Sequence, residues 1–178
     1  LMPFDEVIGR AAAACPAGHP LMLTYRAEML LWCGRYDDAL RDCEAALDIS
    51  PKVRWAYFGK ASAHLCREEP QLALNTLDAS NRVLTPLPNS LSLRGEAHLR
   101  LGQPHIAIPF FERAVAARPS RLSALIGLAL AQLRGEVDAS QSIDAIRRAA
   151  PVFWKHAELD LEGEDKGPGS VLEALLKM

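Results

Sequence analysis

The sequence lacks the features that mark several common protein classes. Aromatic residues make up only 6% of its 178 residues, and no apolar run approaches the roughly 20 residues that cross a bilayer. No basic segment followed by an apolar stretch marks a signal peptide at the N-terminus. The net charge of −2 is unsuited to a nucleic-acid binder that works by neutralising phosphates. We therefore expect a soluble, cytoplasmic protein without nucleic-acid or membrane partners.

Recognisable catalytic, cofactor and metal motifs are also absent. The phosphate-binding glycine patterns GxGxxG and GxxxxGK[ST] do not occur, and neither does the zinc motif HExxH. No CxxC pair occurs among the four cysteines, so we expect each of them to be a small apolar packing residue in a reducing compartment. They are Cys15, Cys33, Cys43 and Cys66. His98 and His105 flank a turn and could share a metal, but packing is the expected role. We predict no catalytic residue, no cofactor and no metal.

What the sequence does contain is abundant alanine and leucine, which favour helices, and an internal period of 34 residues. Four leucines recur at this spacing: Leu31, Leu65, Leu99 and Leu133. A small residue precedes each by four positions: Ala27, Ala61, Gly95 and Ala129. A larger apolar residue precedes that by four more: Leu23, Tyr57, Leu91 and Leu125. This spacing lies along one helix face, where the small residue lets a neighbouring helix approach.

Helix-breaking residues divide each period into two helices. The first helices end near Gly34, Glu69-Pro70, Gly102 and Gly135, and the second helices end near Pro51, Pro86 and Pro119. The second helix of the fourth period fits only after an insertion of two residues. Pro109 lies inside the second helix of the third period, where we expect a kink or a late helix start.

This pattern resembles the tetratricopeptide repeat. In the first period the match rests on Leu23, Ala27, Leu30, Gly34, Tyr36, Ala39, Ala46 and Pro51, and in the third on Leu91, Gly95, Leu99, Gly102, Ala107, Phe111, Ala114 and Pro119. The resemblance implies an all-α fold, a right-handed superhelix (α-solenoid) of about four helix-turn-helix repeats. The repeats would cover about 20–53, 54–87, 88–121 and 122–151, within a helical domain over 1–157.

The two ends differ from the repeats. Residues 3–15 are amphipathic and predict an extra N-terminal helix. Residues 158–169 are acidic and contain Gly and Pro, which predicts an exposed linker. A short C-terminal helix is predicted over 170–178. Its apolar face is expected to be unburied, which suggests a longer polypeptide.

The resemblance also implies where a ligand would bind. The second, fifth, ninth and thirteenth positions of each first helix face the concave side of such an array, and Trp32 is one of these residues. We expect a peptide-binding groove at Thr24, Glu28, Trp55, Phe58, Ser62, Ser92, Glu96 and Arg100. Trp55 and Phe58 are interpreted either as an aromatic anchor between acidic walls, suited to a peptide with a basic group, or as packing against an adjacent helix.

The predicted function is a non-catalytic adaptor or scaffold that binds a protein or peptide through this concave face. An alternative is the N-terminal regulatory or substrate-docking domain of an enzyme whose catalytic part lies beyond Met178. A third is a homo-oligomerising scaffold. The sequence does not identify the partner.

Overall fold

The structure, a computed structural model, describes residues 6, 7, 10, 18–85, 87–152, 154, 155, 170 and 172. Eight complete α-helices lie within 18–85 and 87–152. They are α1 (Pro20–Trp32), α2 (Tyr36–Ile49), α3 (Arg54–Cys66), α4 (Pro70–Val83), α5 (Pro88–Arg100), α6 (Pro104–Ala117), α7 (Leu122–Arg134) and α8 (Ser140–Ala149). The first helices of the four hairpins thus begin 34 residues apart. This part of the chain contains no β-strand, so the prediction of an all-α fold with four helix-turn-helix repeats is confirmed.

Each hairpin turn reverses the chain with the same backbone geometry. One residue in every turn has a positive φ, and these residues also lie 34 apart: Gly34, Glu68, Gly102 and Glu136. The N–H of the next residue donates to a carbonyl five positions back, as in Arg35 to Leu30 at 2.9 Å and Val137 to Gln132 at 2.8 Å. This bond satisfies a carbonyl that the helix end would leave unpaired. In the fourth turn, the residue with the positive φ is Glu136 and not the adjacent Gly135.

The chain divides into two compact units, Leu1–Pro86 and Leu87–Met178. In unit 1, α1 packs against α2 and α3, α2 against α3, and α3 against α4. The small residues predicted to let helices approach, Ala27 and Ala61, are fully buried. Ala39 and Ala73 in the second helices are also fully buried. Small side chains at these crossings therefore set the close packing of the unit.

In unit 2, α5 packs against α6 and α7, and α6 and α8 each pack against α7. The Phe111 ring of α6 lies against two glycines, and a Cβ atom added at Gly95 or Gly127 would come within 2.8 or 2.3 Å of it. Because real Cβ contacts are not this short, a side chain at either position would force the Phe111 ring to move. Gly95 belongs to the predicted small-residue column, whereas Gly127 does not.

Pro109 does not delay the start of its helix, because α6 begins at Pro104 and continues through Pro109 to Ala117. The late start offered as one expectation is therefore wrong. Pro109 is exposed, so its ring points away from the packed side of the helix.

Only parts of the chain ends are described. Glu6, Val7 and Arg10 are helical, while the rest of the predicted 3–15 helix and the whole 158–169 linker lie outside the described residues. Of the predicted 170–178 helix, Ser170 and Leu172 are described and both are helical. Leu172 is fully buried in the core of unit 2. The expectation that the apolar face of this helix is unburied is therefore wrong for Leu172.

Trp154 lies in the same core as Leu172. It is 4% exposed, and the Arg147 guanidinium of α8 lies 4.8 Å from the centre of its ring. Residues that follow the fourth hairpin therefore cover apolar surface that α7 and α8 present.

Candidate functional site

The exposed side of α1 and α3 in unit 1 carries two large aromatic side chains. We call this surface the first-helix face. It consists of the second, ninth and thirteenth positions of the two helices, which are Leu21, Glu28 and Trp32, and Trp55, Ser62 and Cys66. At about 100° per residue these three positions form one stripe. Trp32 is 84% exposed and Trp55 is 52% exposed.

Phe58 supports Trp55 from below. The two ring centres are 5.8 Å apart and the planes meet at 88°, an edge-to-face arrangement. Phe58 itself is only 7% exposed. Of the two aromatic residues predicted for the groove, Trp55 therefore offers its ring to solvent and Phe58 holds that ring in place.

The fifth position of each first helix is buried. Thr24, Phe58, Ser92 and Ile126 are between 3% and 9% exposed. The Thr24 hydroxyl donates to the Leu21 carbonyl at 2.7 Å, and the Ser92 hydroxyl has no partner among the described residues. The fifth position lies about 60° around the helix from the eighth, which holds the small residues at the helix crossings. Thr24, Phe58 and Ser92 thus lie beneath the surface on which a ligand was expected.

The ninth position carries an acid in α1 and in α5, with different surroundings. Glu96 of α5 accepts hydrogen bonds from Arg100, the nearer at 2.8 Å. Glu28 of α1 is exposed and no described residue pairs with it. Two acids were predicted to line the groove, but the Glu96 charge is already compensated by Arg100 within unit 2.

A network of charges joins the two hairpin turns of unit 1. Arg67 pairs with Asp37 and donates to Glu69 at 2.8 Å, and His64 Nδ1 lies 2.8 Å from the other Glu69 oxygen. Hydrogen bonds from His64 and then Arg67 lower the pKa of the Glu69 carboxyl below its ordinary value. Because these charges compensate one another, we interpret the network as a structural link between the hairpins.

Two histidines, His64 and His98, lie 34 residues apart and so occupy one column of the repeat. His64 is buried on Glu69, and His98 stacks on Phe110 with ring centres 5.4 Å apart. His98 Nδ1 also lies 2.8 Å from the Gln103 side-chain oxygen. In the fourth hairpin the column holds Gln132, whose buried Oε1 has no partner in the described part of the chain. Within that part, no group of three His, Cys, Asp or Glu side chains could hold a metal.

The cysteines do not share one environment. Cys43 is fully buried, and burial raises the pKa of its thiol to about 12. Cys33 and Cys66 are exposed at the ends of α1 and α3, so the expectation that all four are packing residues is wrong for these two. Cys33 and Cys66 lie at the ends of their helices, where the next helix does not cover them. Cys15 lies outside the described residues.

Two cavities open on other sides of unit 1. One, of about 380 Å³, is lined by the charged residues around the first turn. The other, of about 520 Å³, lies over α3 between α2 and α4, with Leu72 and Tyr57 in its lining. Lys60 and Glu44 also line this second cavity and pair with each other at 2.7 Å. The charged side chains that line the first cavity also pair with one another. The lining charges of the two cavities therefore do not identify a ligand.

None of the helices in the described ranges is both long and apolar enough to cross a membrane. No family model matches the sequence, and no curated protein matches it. Solved structures do match, and each of those below is a tetratricopeptide-repeat protein.

YrrB, described as a tetratricopeptide-repeat protein with an unusual peptide-binding site, is 18% identical with a TM-score of 0.61 over 99% of this chain and 92% of its own. TTC0263 of Thermus thermophilus is 18% identical with a TM-score of 0.74 over 98% of this chain and 91% of its own. MamA of Desulfovibrio magneticus RS-1 is 19% identical with a TM-score of 0.65 over 84% of this chain and 85% of its own. Together with the four helical hairpins, these similarities show that the chain has the tetratricopeptide-repeat fold.

Proposed function

We propose that the chain is a non-catalytic adaptor that binds a peptide or a protein segment through the first-helix face of unit 1. The observation that carries this proposal is the exposure of two indole rings, Trp32 and Trp55, on that face. Tryptophan is the residue most enriched among those that dominate binding energy at protein interfaces. Here the rings leave apolar area in water that a partner would cover.

Trp55 has the properties of an anchor residue. The edge-to-face contact with buried Phe58 restricts its ring, so a ligand that covers the ring loses little side-chain entropy on binding. Half-buried Ser62 lies two turns further along α3 and can offer a hydroxyl to a peptide backbone. Thr24 shapes this surface from beneath. In unit 2, Glu96 and Arg100 form a polar surface.

Three further points complete the proposal. The fold is shared with YrrB, whose described peptide-binding site makes binding of this kind a reasonable expectation here. Exposed Cys33 and Cys66 suit a reducing compartment such as the cytoplasm. We propose that a single copy of the chain binds the partner.

A photo-crosslinking experiment tests the proposal. A photoreactive amino acid replaces Trp55 in one variant and Leu72 in another. Leu72 is 45% exposed on α4 and belongs to the same unit but not to the first-helix face. The crosslinked partner is identified and purified, and its Kd is measured for the wild type, Trp55→Ala and Leu72→Ala.

We expect crosslinks from position 55, and a Kd at least about tenfold weaker for Trp55→Ala, as for an interface anchor. Leu72→Ala should bind as the wild type does. Matching circular dichroism melts would show that both variants are folded. Crosslinks from position 72 alone, or equal Kd values for all three proteins, would overturn the proposal, and crosslinks only to a second copy would favour an oligomerising scaffold.

A further inference from the structure

Glu28 differs from the basic side chains of α1 and α3, each of which has a partner. Arg26 bonds to Asp42 at 2.6 Å, Lys60 to Glu44 at 2.7 Å, and His64 to Glu69 at 2.8 Å. Arg54 donates to the Thr85 carbonyl at 3.2 Å. Glu28 is exposed, and no residue in the described ranges compensates its charge.

The residue one turn after Glu28 is Trp32. Side chains four residues apart are neighbours on a helix surface, with Cβ atoms about 5–6 Å apart. A carboxylate therefore lies beside an indole that is 84% exposed. A carboxylate and the face of an aromatic ring both attract a cation, and Trp is the most favourable ring for this interaction.

The third repeat provides an internal comparison. Its ninth position also carries an acid, Glu96, but its thirteenth position is Arg100 where the first repeat has Trp32. Arg100 donates to Glu96 at 2.8 Å, so the chain itself supplies the cation there. In the first repeat the corresponding cation is missing and an aromatic ring stands in its place.

We propose that Glu28 and Trp32 form a subsite that binds an arginine or lysine side chain of the partner segment. This inference rests on the proposed function and specifies the chemistry of the partner. The Glu28 carboxylate accepts hydrogen bonds from the cation, and the Trp32 ring covers its apolar side. Trp55, at the opposite end of the first-helix face, takes an apolar residue of the same segment.

The separation of the two subsites sets a spacing in the partner. Along the helix axis, at 1.5 Å per residue, the second position lies about 10–16 Å from the ninth to thirteenth positions. Neighbouring helices add a sideways step of about 8–10 Å. An extended peptide spans such a distance with about four to six residues. The partner segment should therefore carry its basic residue about four to six positions from a large apolar one.

Selection from a random twelve-residue peptide library displayed on phage, with the full chain as target, tests this inference. Selected peptides are synthesised with a fluorescent label, and their Kd values are measured by anisotropy. The proteins compared are the wild type, Glu28→Gln, Trp32→Leu and the control Glu112→Gln, which neutralises an exposed acid on α6. Each peptide is also made with its basic residue replaced by glutamine.

We expect the selected peptides to share a basic residue at the stated spacing. Glu28→Gln should weaken binding about tenfold, Trp32→Leu should weaken it severalfold, and Glu112→Gln should leave it unchanged. Replacing the basic residue should cost about tenfold with the wild type and little with Glu28→Gln, because the two changes remove one interaction.

Other outcomes separate the two proposals. Peptides that bind the wild type and Glu28→Gln equally would overturn the subsite and leave the proposed function intact. Peptides whose binding is insensitive to loss of their basic residue would do the same. Failure to select any peptide that binds the full chain would overturn the subsite together with peptide binding itself.

Discussion

Single residues in the hairpin turns carry unequal conformational costs. The four turns need a positive φ at the same position, and two of them use glycine while Glu68 and Glu136 adopt φ values of 58° and 55°. A side chain in the left-handed region costs about 1–2 kcal/mol because Cβ approaches the neighbouring carbonyl. The second and fourth turns therefore form at a local cost that the first and third turns avoid.

This cost predicts opposite effects for two substitutions in unit 2. Glu136→Gly should raise the free energy of unfolding by about 1 kcal/mol, and Gly102→Ala should lower it by about 1 kcal/mol. A Cβ atom at Gly102 would meet nothing within 4 Å, so the loss would come from the backbone alone. Urea denaturation followed by circular dichroism measures both changes.

Glu112→Gly is the matched control for this prediction. It makes the same replacement within α6, where glycine should lower stability by about 0.5–1 kcal/mol. A stabilising effect at both glutamate positions, or at neither, would contradict the assignment of strain to the fourth turn.

The sequence predicted the small packed residues well and the ligand-facing ones less well. Ala27, Ala61 and Ala129 are fully buried because their spacing alone places them at helix crossings. Burial of the fifth position, by contrast, depends on how far the neighbouring helix covers the edge of the packed helix face. The spacing of residues in the sequence does not specify this. Trp32 lies at one of the inward-facing positions, but the groove predicted from the sequence does not include it.

At the scale of whole helices, the helix boundaries followed from helix-breaking residues in the sequence. Proline begins α1, α4, α5 and α6, where its missing N–H has no intrahelical partner to lose. The sequence does not decide whether the interior Pro109 interrupts its helix, since a helix can tolerate a missing hydrogen bond when packing fixes both of its ends. Phe111 in the core of unit 2 fixes α6 beyond the proline in this way.

A proline that the helix tolerates still has a cost. Pro109→Ala restores a backbone N–H inside α6, and we expect it to raise the free energy of unfolding of unit 2 by about 2 kcal/mol. The matched control is Pro104→Ala at the first position of the same helix, where the change should be much smaller. Urea denaturation measures both variants, and equal effects would show that the interior position carries no special penalty.

At the scale of the whole molecule, the residues after the fourth hairpin were the least predictable. An apolar stripe in a short terminal helix does not reveal whether the same chain or a partner covers it. Leu172 is fully buried among residues such as Ile146 and Trp154 in the core of unit 2. The predicted domain over 1–157 thus omits a residue that belongs to this core, although the domain limits themselves stay a prediction.

This placement predicts that the terminal segment stabilises unit 2. Leu172→Ala should lower its free energy of unfolding by about 2–5 kcal/mol, the range for truncation of a fully buried leucine. Val152→Ala, at a side chain that is 65% exposed, should change it by less than about 0.5 kcal/mol. Denaturation curves with similar midpoints for the two variants would contradict the burial of Leu172.

Among the four described hairpins, the turn before α8 differs from the others in length. Three residues separate the helices of the first three hairpins, and five separate α7 from α8. Helix α8 begins at Ser140 without a proline. The backbone N–H of Ser140 donates to the Asp138 carboxylate at 3.0 Å. A segment that has already accommodated two extra residues is the natural point at which to splice in an affinity tag or a reporter domain.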